Sequence, residues 1–261
     1  MDLCTFLLLL AISLAVYACS FVTGGMDSGI IGGKVAKPHS RPYMAFIQNK
    51  FEACGGMLIR DDYILTAAHC LNNNDRSHFE VVLGAHNISK HEKSQQRIQV
   101  KKHIQHPMFL NSNNEKDYSY DIMLLKLKNK AKINKFVKVL SLPKKNEKLP
   151  ENVKCSIAGW GTKESNGNKP SDVLEEVTVK LQNNHECERK WQQHFNPERM
   201  FCSVSDGKHA FCRGDSGSPL ICNTKPQAIA SYTVKKDCLH THPQVFVKIS
   251  CFLPWIKKNM V

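Results

Sequence analysis

Short apolar stretches separated by turn residues recur along most of this chain. They restrict it to folds assembled from many short strands. In the first half they are Tyr43 to Gln48, Met57 to Ile59, Tyr63 to Thr66, Glu80 to Leu83 and Ile122 to Leu127. In the second half they are Cys155 to Gly159, Leu174 to Leu181, Pro219 to Cys222, Ala228 to Val234 and Gln244 to Ile249. Segments of this length and spacing build β-barrels or sandwiches. One helix is predicted over about Ser250 to Met260, where Phe252, Leu253 and Ile256 fall near helical spacing. A Lys- and Pro-rich stretch, Lys138 to Pro150, reads as a linker between two all-β halves. The 261 residues suffice for one large domain or two small ones, and a hydrophobic content of 42% excludes a disordered chain.

Leu3 to Ala18 is apolar, with Leu7 to Leu10 at its centre and small residues at Ala18 and Ser20. The run is too short for a good membrane span and reads as a secretory signal ending near residue 20. It departs from the usual pattern in carrying Asp2 and no early Lys or Arg; a buried N-terminal helix is the alternative. No later segment is long enough to span a bilayer, which predicts a soluble mature protein.

Of 11 cysteines, Cys4 and Cys19 lie in or beside the signal. Cys54, Cys70, Cys155, Cys187, Cys202, Cys212, Cys222, Cys238 and Cys251 remain, and after a secretory signal they imply a disulfide framework. Their number is odd, so one thiol is left over. The absence of a Cys-x-x-Cys pair argues against a zinc cluster.

Formal net charge is +13, and residues 1–29 hold two Asp and no Lys or Arg, so the remainder carries +15. Lysines concentrate between Lys126 and Lys148. Such a surface attracts polyanions in a salt-dependent way. The bland alternative is a set of solvated loops kept soluble by charge.

Three motifs carry chemistry. They are Thr66-Ala67-Ala68-His69-Cys70, Asp121-Ile122-Met123-Leu124-Leu125 and Gly214-Asp215-Ser216-Gly217-Ser218-Pro219. Singly each is ambiguous: a His before a Cys is often structural, and Gly-Asp-Ser-Gly suits a turn. Together they supply a histidine, an aspartate and a serine in that order. A serine hydroxyl is a poor nucleophile near neutrality. It needs a base within hydrogen-bond reach, and the base needs a third group to fix its tautomer.

With Ile30-Ile31-Gly32-Gly33 and Ala158-Gly159-Trp160-Gly161, these motifs resemble the landmarks of chymotrypsin-like (trypsin family) serine proteases over about residues 30 to 261. Within that family the chain is similar to granzyme A/granzyme K-like leukocyte proteases. The matching blocks are Pro38 to Met44, Val82 to His86, Ala131 to Lys135 with Leu142 to Lys145, and Ser218 in the serine motif. The resemblance implies an all-β fold of two six-stranded antiparallel barrels, about residues 45–137 and 150–249, with a terminal helix at about 250–260. It implies His69 and Asp121 from the first barrel and Ser216 from the second, with the backbone of Gly214 and Ser216 as oxyanion hole. It also implies residues 21–29 as an activation segment, removed to free Ile30, whose ammonium would pair with Asp215. Gly29 precedes Ile30, so activation after a basic residue is not expected; a peptidase trimming Met26-Asp27-Ser28-Gly29 fits instead.

The family pattern pairs Cys54–Cys70, Cys155–Cys222, Cys187–Cys202 and Cys212–Cys238. It leaves Cys251 as a buried free thiol or, less readily, a dimer bridge. Granzyme A dimerises through a cysteine for which this chain has no counterpart at about His106 to Asn113, so a monomer is expected.

The substrate pocket departs from the tryptic members. Ala210 stands where they carry the Asp that binds Lys or Arg, and Phe211 after it should narrow the base. Ser231-Tyr232-Thr233 replaces a Ser-Trp-Gly wall, and Gln244 is expected to bring a neutral amide to the floor. The resemblance therefore implies preference for Ala, Val, Thr or Met before the scissile bond. Competing expectations are Gln or Asn recognition by Gln244, or a pocket too crowded for any side chain. Arg213 either favours acidic flanking residues or is a solvated rim residue.

Asn87-Ile88-Ser89 is a glycosylation sequon. The loop after it has Glu92 as its only acid among Lys90, His91 and Lys93, so no calcium, no other metal and no cofactor is expected. The whole reads as a secreted or granule-stored serine endopeptidase. Its expected partners are protein substrates, serine protease inhibitors and granule proteoglycan. The alternative is a non-catalytic polyanion-binding homologue, a class that usually loses a triad member.

Overall fold

A computed structural model describes residues 30–261 apart from 50–51, 72–78, 111–114, 145–148, 151, 166, 168, 235–236 and 240–241. The segments read as signal and activation peptide lie outside the described residues.

After β1 (Lys34–Val35), the first barrel uses β2 (Met44–Gln48), β3 (Ala53–Arg60), β4 (Tyr63–Thr66), β5 (Glu80–Leu83), β6 (Gln96–Gln105) and β7 (Met123–Leu127). They close in the order β2-β3-β4-β7-β6-β5, each pair antiparallel. The inner faces of these strands fill the barrel with Ile47, Leu58, Ile64, Val81, Leu83 and Leu125. Closure leaves no bare strand edge to pair with another chain.

The second half contributes β8 (Lys154–Gly159), β9 (Glu175–Lys180), β10 (Met200–Cys202), β11 (Pro219–Cys222), β12 (Lys225–Tyr232) and β13 (Val245–Lys248). With β1 they form one antiparallel sheet in the order β1-β9-β8-β11-β12-β13-β10. It has seven strands rather than six because β1 crosses over from the first half, setting Lys34 opposite Glu176 and Val35 opposite Glu175. β9 shows the strand period: Val177 and Val179 are buried while Thr178 and Lys180 are exposed.

Between the halves, Met57, Leu65 and Leu124 pack with Ile229, Val247 and Ile249. Phe252, Leu253 and Ile256 of the C-terminal segment close the same cluster. The predicted terminal helix is a 3-10 turn, Ser250–Phe252, followed by α-helix Leu253–Asn259. Pro254 sits in the first turn, where its missing N–H costs nothing. An unpredicted α-helix, Asn184–Trp191, is capped by Asn183, whose side chain accepts from Glu186 N.

The expected linker is partly a strap. Lys138 N donates to Pro42 O and Leu140 N to Leu58 O, and Val137 is buried against the first barrel. The four disulfides pair as the resemblance implies. Cys251 is free but exposed, which corrects the buried thiol expected. The turn Ser250–Phe252 points Phe252 into the core and leaves Cys251 on the outer side, its Sγ donating to Glu198 O at 3.2 Å. Among the described residues no helix is long and apolar enough to cross a membrane.

Candidate active site

β4 ends at Thr66, and the chain tightens into a 3-10 turn, Ala68–Cys70, that carries His69. The Cys54–Cys70 disulfide ties this turn to β3. Asp121 follows a second 3-10 turn, Tyr118–Tyr120, whose start is capped by Asp117 accepting from Ser119 N. Asp121 is wholly buried. Its Oδ1 accepts from His69 N at 2.8 Å, and its Oδ2 lies 2.7 Å from His69 Nδ1. Ser231 Oγ donates to that same Oδ2 at 2.5 Å. Burial opposes ionisation of Asp121, but the neighbouring His69 and the bonds from His69 and Ser231 hold it below the usual carboxylate range. Burial likewise opposes a charged His69, and Asp121 outweighs it, so the imidazole titrates above its ordinary value.

Ser216 sits on the loop before β11. The loop turns at Gly214 (φ 98°) and Gly217 (φ 82°), conformations that cost other residues energy. A Cβ on Gly217 would meet Thr66 Oγ1 at 2.1 Å, so this loop can lie against the His69 turn only with glycine there. Asp215 N, Gly217 N and Ser218 N donate to Cys212 O, Ala230 O and Asp215 O. Among the described residues, the N–H groups of Gly214 and Ser216 have no backbone acceptor. Ser216 and His69 line one cavity of about 810 Å³.

Behind the loop, Asp215 is fully buried, accepting from Gly161 N at 2.8 Å and Cys212 N at 2.9 Å. Burial, reinforced by the nearby Glu175 carboxylate, outweighs those bonds and lifts Asp215 to about 7. Ile30 is buried in the core of the second sheet with Phe211 and Phe246. Ile31 O accepts from Ala210 N at 3.1 Å.

Phe211, Arg213, Ser231, Tyr232 and Thr233 line the cavity beside Ser216. The Phe211 ring packs edge-on against Phe246 at 5.2 Å. Two expected pocket residues lie elsewhere. Ala210 is buried against Ile31 and the Cys212–Cys238 bridge. Gln244 is 3% exposed, and both ends of its amide are engaged by the Phe211 backbone, so it offers no amide to a ligand. This corrects the expectation of a polar floor and removes the basis for Gln or Asn recognition by Gln244. The sequence reading missed Tyr118, Val234, Ser165 and Gly167, which also line the cavity. Tyr118 was findable, lying three residues before Asp121; the others come from loops with no local signal.

Asn87 Oδ1 accepts from Ser89 N and Ser89 Oγ, and Ser89 is exposed. Glu92 accepts from His86 N at 2.7 Å and Asn87 N at 3.1 Å, spending its carboxylate within its own loop.

A family model described as Trypsin matches residues 30–256. Granzyme B of Rattus norvegicus is 46% identical over 237 residues, covering 88% of this chain and 91% of the relative. Granzyme H of Homo sapiens is 42% identical over 261 residues, covering 98% of each. Cathepsin G of Homo sapiens is 39% identical over 244 residues, covering 91% of this chain and 90% of the relative. Among solved structures, GrC superposes with a TM-score of 0.78 at 38% identity, covering 88% of this chain and 99% of that one. Neuropsin, a serine protease expressed in the limbic system of mouse brain, gives 0.78 at 37% identity with the same coverage.

Proposed function

This chain belongs to the trypsin family and is a serine endopeptidase, and we propose that His69, Asp121 and Ser216 are its catalytic triad. The observation that carries this reading is the double grip of Asp121 on His69, on the rim of the cavity that holds Ser216. Asp121 keeps the proton on Nδ1, which leaves Nε2 as the base. His69 takes the Ser216 proton as the hydroxyl attacks a peptide carbonyl, then returns it to the leaving amine. Water repeats the sequence on the acyl-serine. The N–H groups of Gly214 and Ser216 stabilise the oxyanion, a donor of this kind being worth about 3 kcal/mol in the transition state.

Cleavage before Ile30 would free an ammonium that can pair with the buried Asp215 carboxylate. A carboxyl raised to about 7 by burial is stabilised by a buried ammonium, so processing orders the adjacent nucleophile loop.

The pocket takes a small or medium uncharged residue before the scissile bond: Ala, Val, Thr or Met. Phe211 supplies its floor and Thr233 its wall, and no acid is among its described lining residues. Arg213, exposed at the rim, favours acidic residues flanking the bond. The protein is secreted or granule-stored, monomeric and glycosylated at Asn87. Lys101, Lys102, Lys128, Lys132, Lys135 and Lys138 are exposed on the first barrel and its strap, and they suit a granule proteoglycan. Serine protease inhibitors are expected to enter the same cleft as substrates.

The test is to process the protein at Ile30, label it with a fluorophosphonate and profile it on a peptide library. Labelling that Ser216→Ala abolishes, with cleavage after small neutral residues, is expected. Absence of labelling would favour a polyanion-binding homologue without activity, and fastest cleavage after Lys or Arg would overturn the pocket reading.

A further inference from the structure

Three successive N–H groups under the cavity are held by three different parts of the molecule. Ala210 N donates to Ile31 O at 3.1 Å, Phe211 N to Gln244 Oε1 at 2.9 Å and Cys212 N to Asp215 Oδ2 at 2.9 Å. The middle grip is two-sided, because Gln244 Nε2 also donates to Phe211 O at 2.6 Å. One side-chain amide thus closes a ring with the backbone of one residue.

Gln244 is itself fixed. It lies just before β13, and its own C=O accepts from Ser203 N at 2.9 Å. The preceding Pro243 O accepts from the Trp191 indole at 2.8 Å. The far end of Phe211 is referred to the same strand, since Phe246 of β13 packs on its ring. Phe246 is in turn paired with Ala230, whose O accepts from Gly217 N. Floor and nucleophile loop therefore share one rigid support.

We propose that Gln244 is a positioning residue for substrate selection: by gripping the Phe211 backbone it fixes the Phe211 ring as a closed floor, which excludes long side chains before the scissile bond. The inference rests on the reading above that this cavity receives that residue.

The chemistry singles out a primary amide of this length. Phe211 presents one donor and one acceptor, both buried, and each costs free energy if left unpaired. A glutamine offers the matching acceptor and donor on one planar group. A carboxylate would face Phe211 O with a second acceptor, a lysine has no acceptor, and asparagine is one methylene short. Losing the grip lets the Phe211 backbone seek other partners, and the ring moves with it. Substrate fit should then change more than the chemical step, because the contacts among His69, Asp121 and Ser231 are elsewhere.

The experiment uses the full chain processed at Ile30, with active-site concentration set by fluorophosphonate titration. Three peptide thiobenzyl esters differ only in Ala, Met or Phe before the scissile bond. Gln244→Met keeps the volume and removes both hydrogen bonds. It is expected to raise KM for the Ala substrate about tenfold, with kcat within about threefold of the parent. The ratio of kcat/KM for Phe over Ala should rise about tenfold. Gln244→Asn should move that ratio the same way by a smaller factor. A purely structural role would lower the amount of titratable enzyme and leave the ratio unchanged. A ratio within about twofold of the parent in Gln244→Met overturns the proposal. Should that variant not fold, the same result in Gln244→Asn overturns it. Fastest cleavage after Lys or Arg by the parent enzyme would refute the pocket reading instead, and is read separately.

Discussion

Ser231 Oγ donates to Asp121 Oδ2 at 2.5 Å, and that oxygen also stands 2.7 Å from His69 Nδ1. Ser231 belongs to β12 of the second sheet, while Asp121 and His69 belong to the first barrel. The bond therefore joins the two halves and holds Asp121 and His69, the proposed acid and base, against the second sheet. Ser231→Ala removes it. A hydrogen bond to a charged group is worth about 1.5–3 kcal/mol, so kcat/KM is expected to fall about tenfold or more. With one donor fewer, the Asp121 charge bears more fully on His69, whose titration already lies above its ordinary value. Activity requires the neutral imidazole, so the acid limb of the pH profile should move up. A limb that moves down would refute this account.

Asp62 supplies an acid-sensitive clamp on the first barrel. Arg60 Nε lies 2.5 Å and Lys126 Nζ 2.6 Å from its two oxygens. Burial works against the charge, but these two partners outweigh it and bring the carboxyl from 3.8 to about 2. A carboxyl lowered in the folded state contributes stability above its unfolded value and loses it as the pH falls through the folded one. The contribution is about 2 kcal/mol near neutrality and disappears between about pH 4 and pH 2. Asp62→Asn should lower Tm at pH 7. The gap from the parent should close across that window in denaturation curves taken at stepped pH.

How far the chain could be read depends on where each constraint originates. His69, Asp121 and Ser216 can be proposed as a triad from residue type and order because covalent catalysis demands such side chains, and Gly217 must be glycine for the Ser216 loop to lie against Thr66 and Ala67 before the His69 turn. Strands such as β9 were legible because one face is apolar. β6 was not: it reads Gln-Arg-Ile-Gln-Val-Lys-Lys-His-Ile-Gln, and Ile98 is its one buried residue. Its place comes from pairing with β5 and β7, which no local pattern records. Gln244 misled for the same reason. Its partner lies 33 residues away, and residue type alone says only that an amide needs partners.

Cys251 tests the outward turn that exposes it. A thiol on the outer side of Ser250–Phe252 should react with a maleimide in the native state, without denaturant, while the four bridged pairs do not. Mass spectrometry of the labelled chain should give a single adduct from the described cysteines, located at Cys251. Labelling that begins only in denaturant would place the thiol inside the core.

If Ile30 is freed as proposed, Asp215 should make the processed and unprocessed proteins respond differently to pH. Without a cation its carboxyl sits at about 7, above the ordinary 3.8. A carboxyl raised in this way favours the folded state at low pH, and that advantage is lost as the pH rises through the window from about 4 to 7. The ammonium of a freed Ile30 reverses the sign by favouring the charged carboxylate. The processed protein should therefore gain Tm over the unprocessed one as the pH is raised from about 4 to 7. At high pH the ammonium loses its proton, so kcat/KM should fall along an alkaline limb. Carbamylating the Ile30 amine should produce that loss at neutral pH with His69, Asp121 and Ser216 unaltered. Asp215→Asn should remove both the Tm gap and the activity. Full activity in either preparation would show that the amine does not order the nucleophile loop.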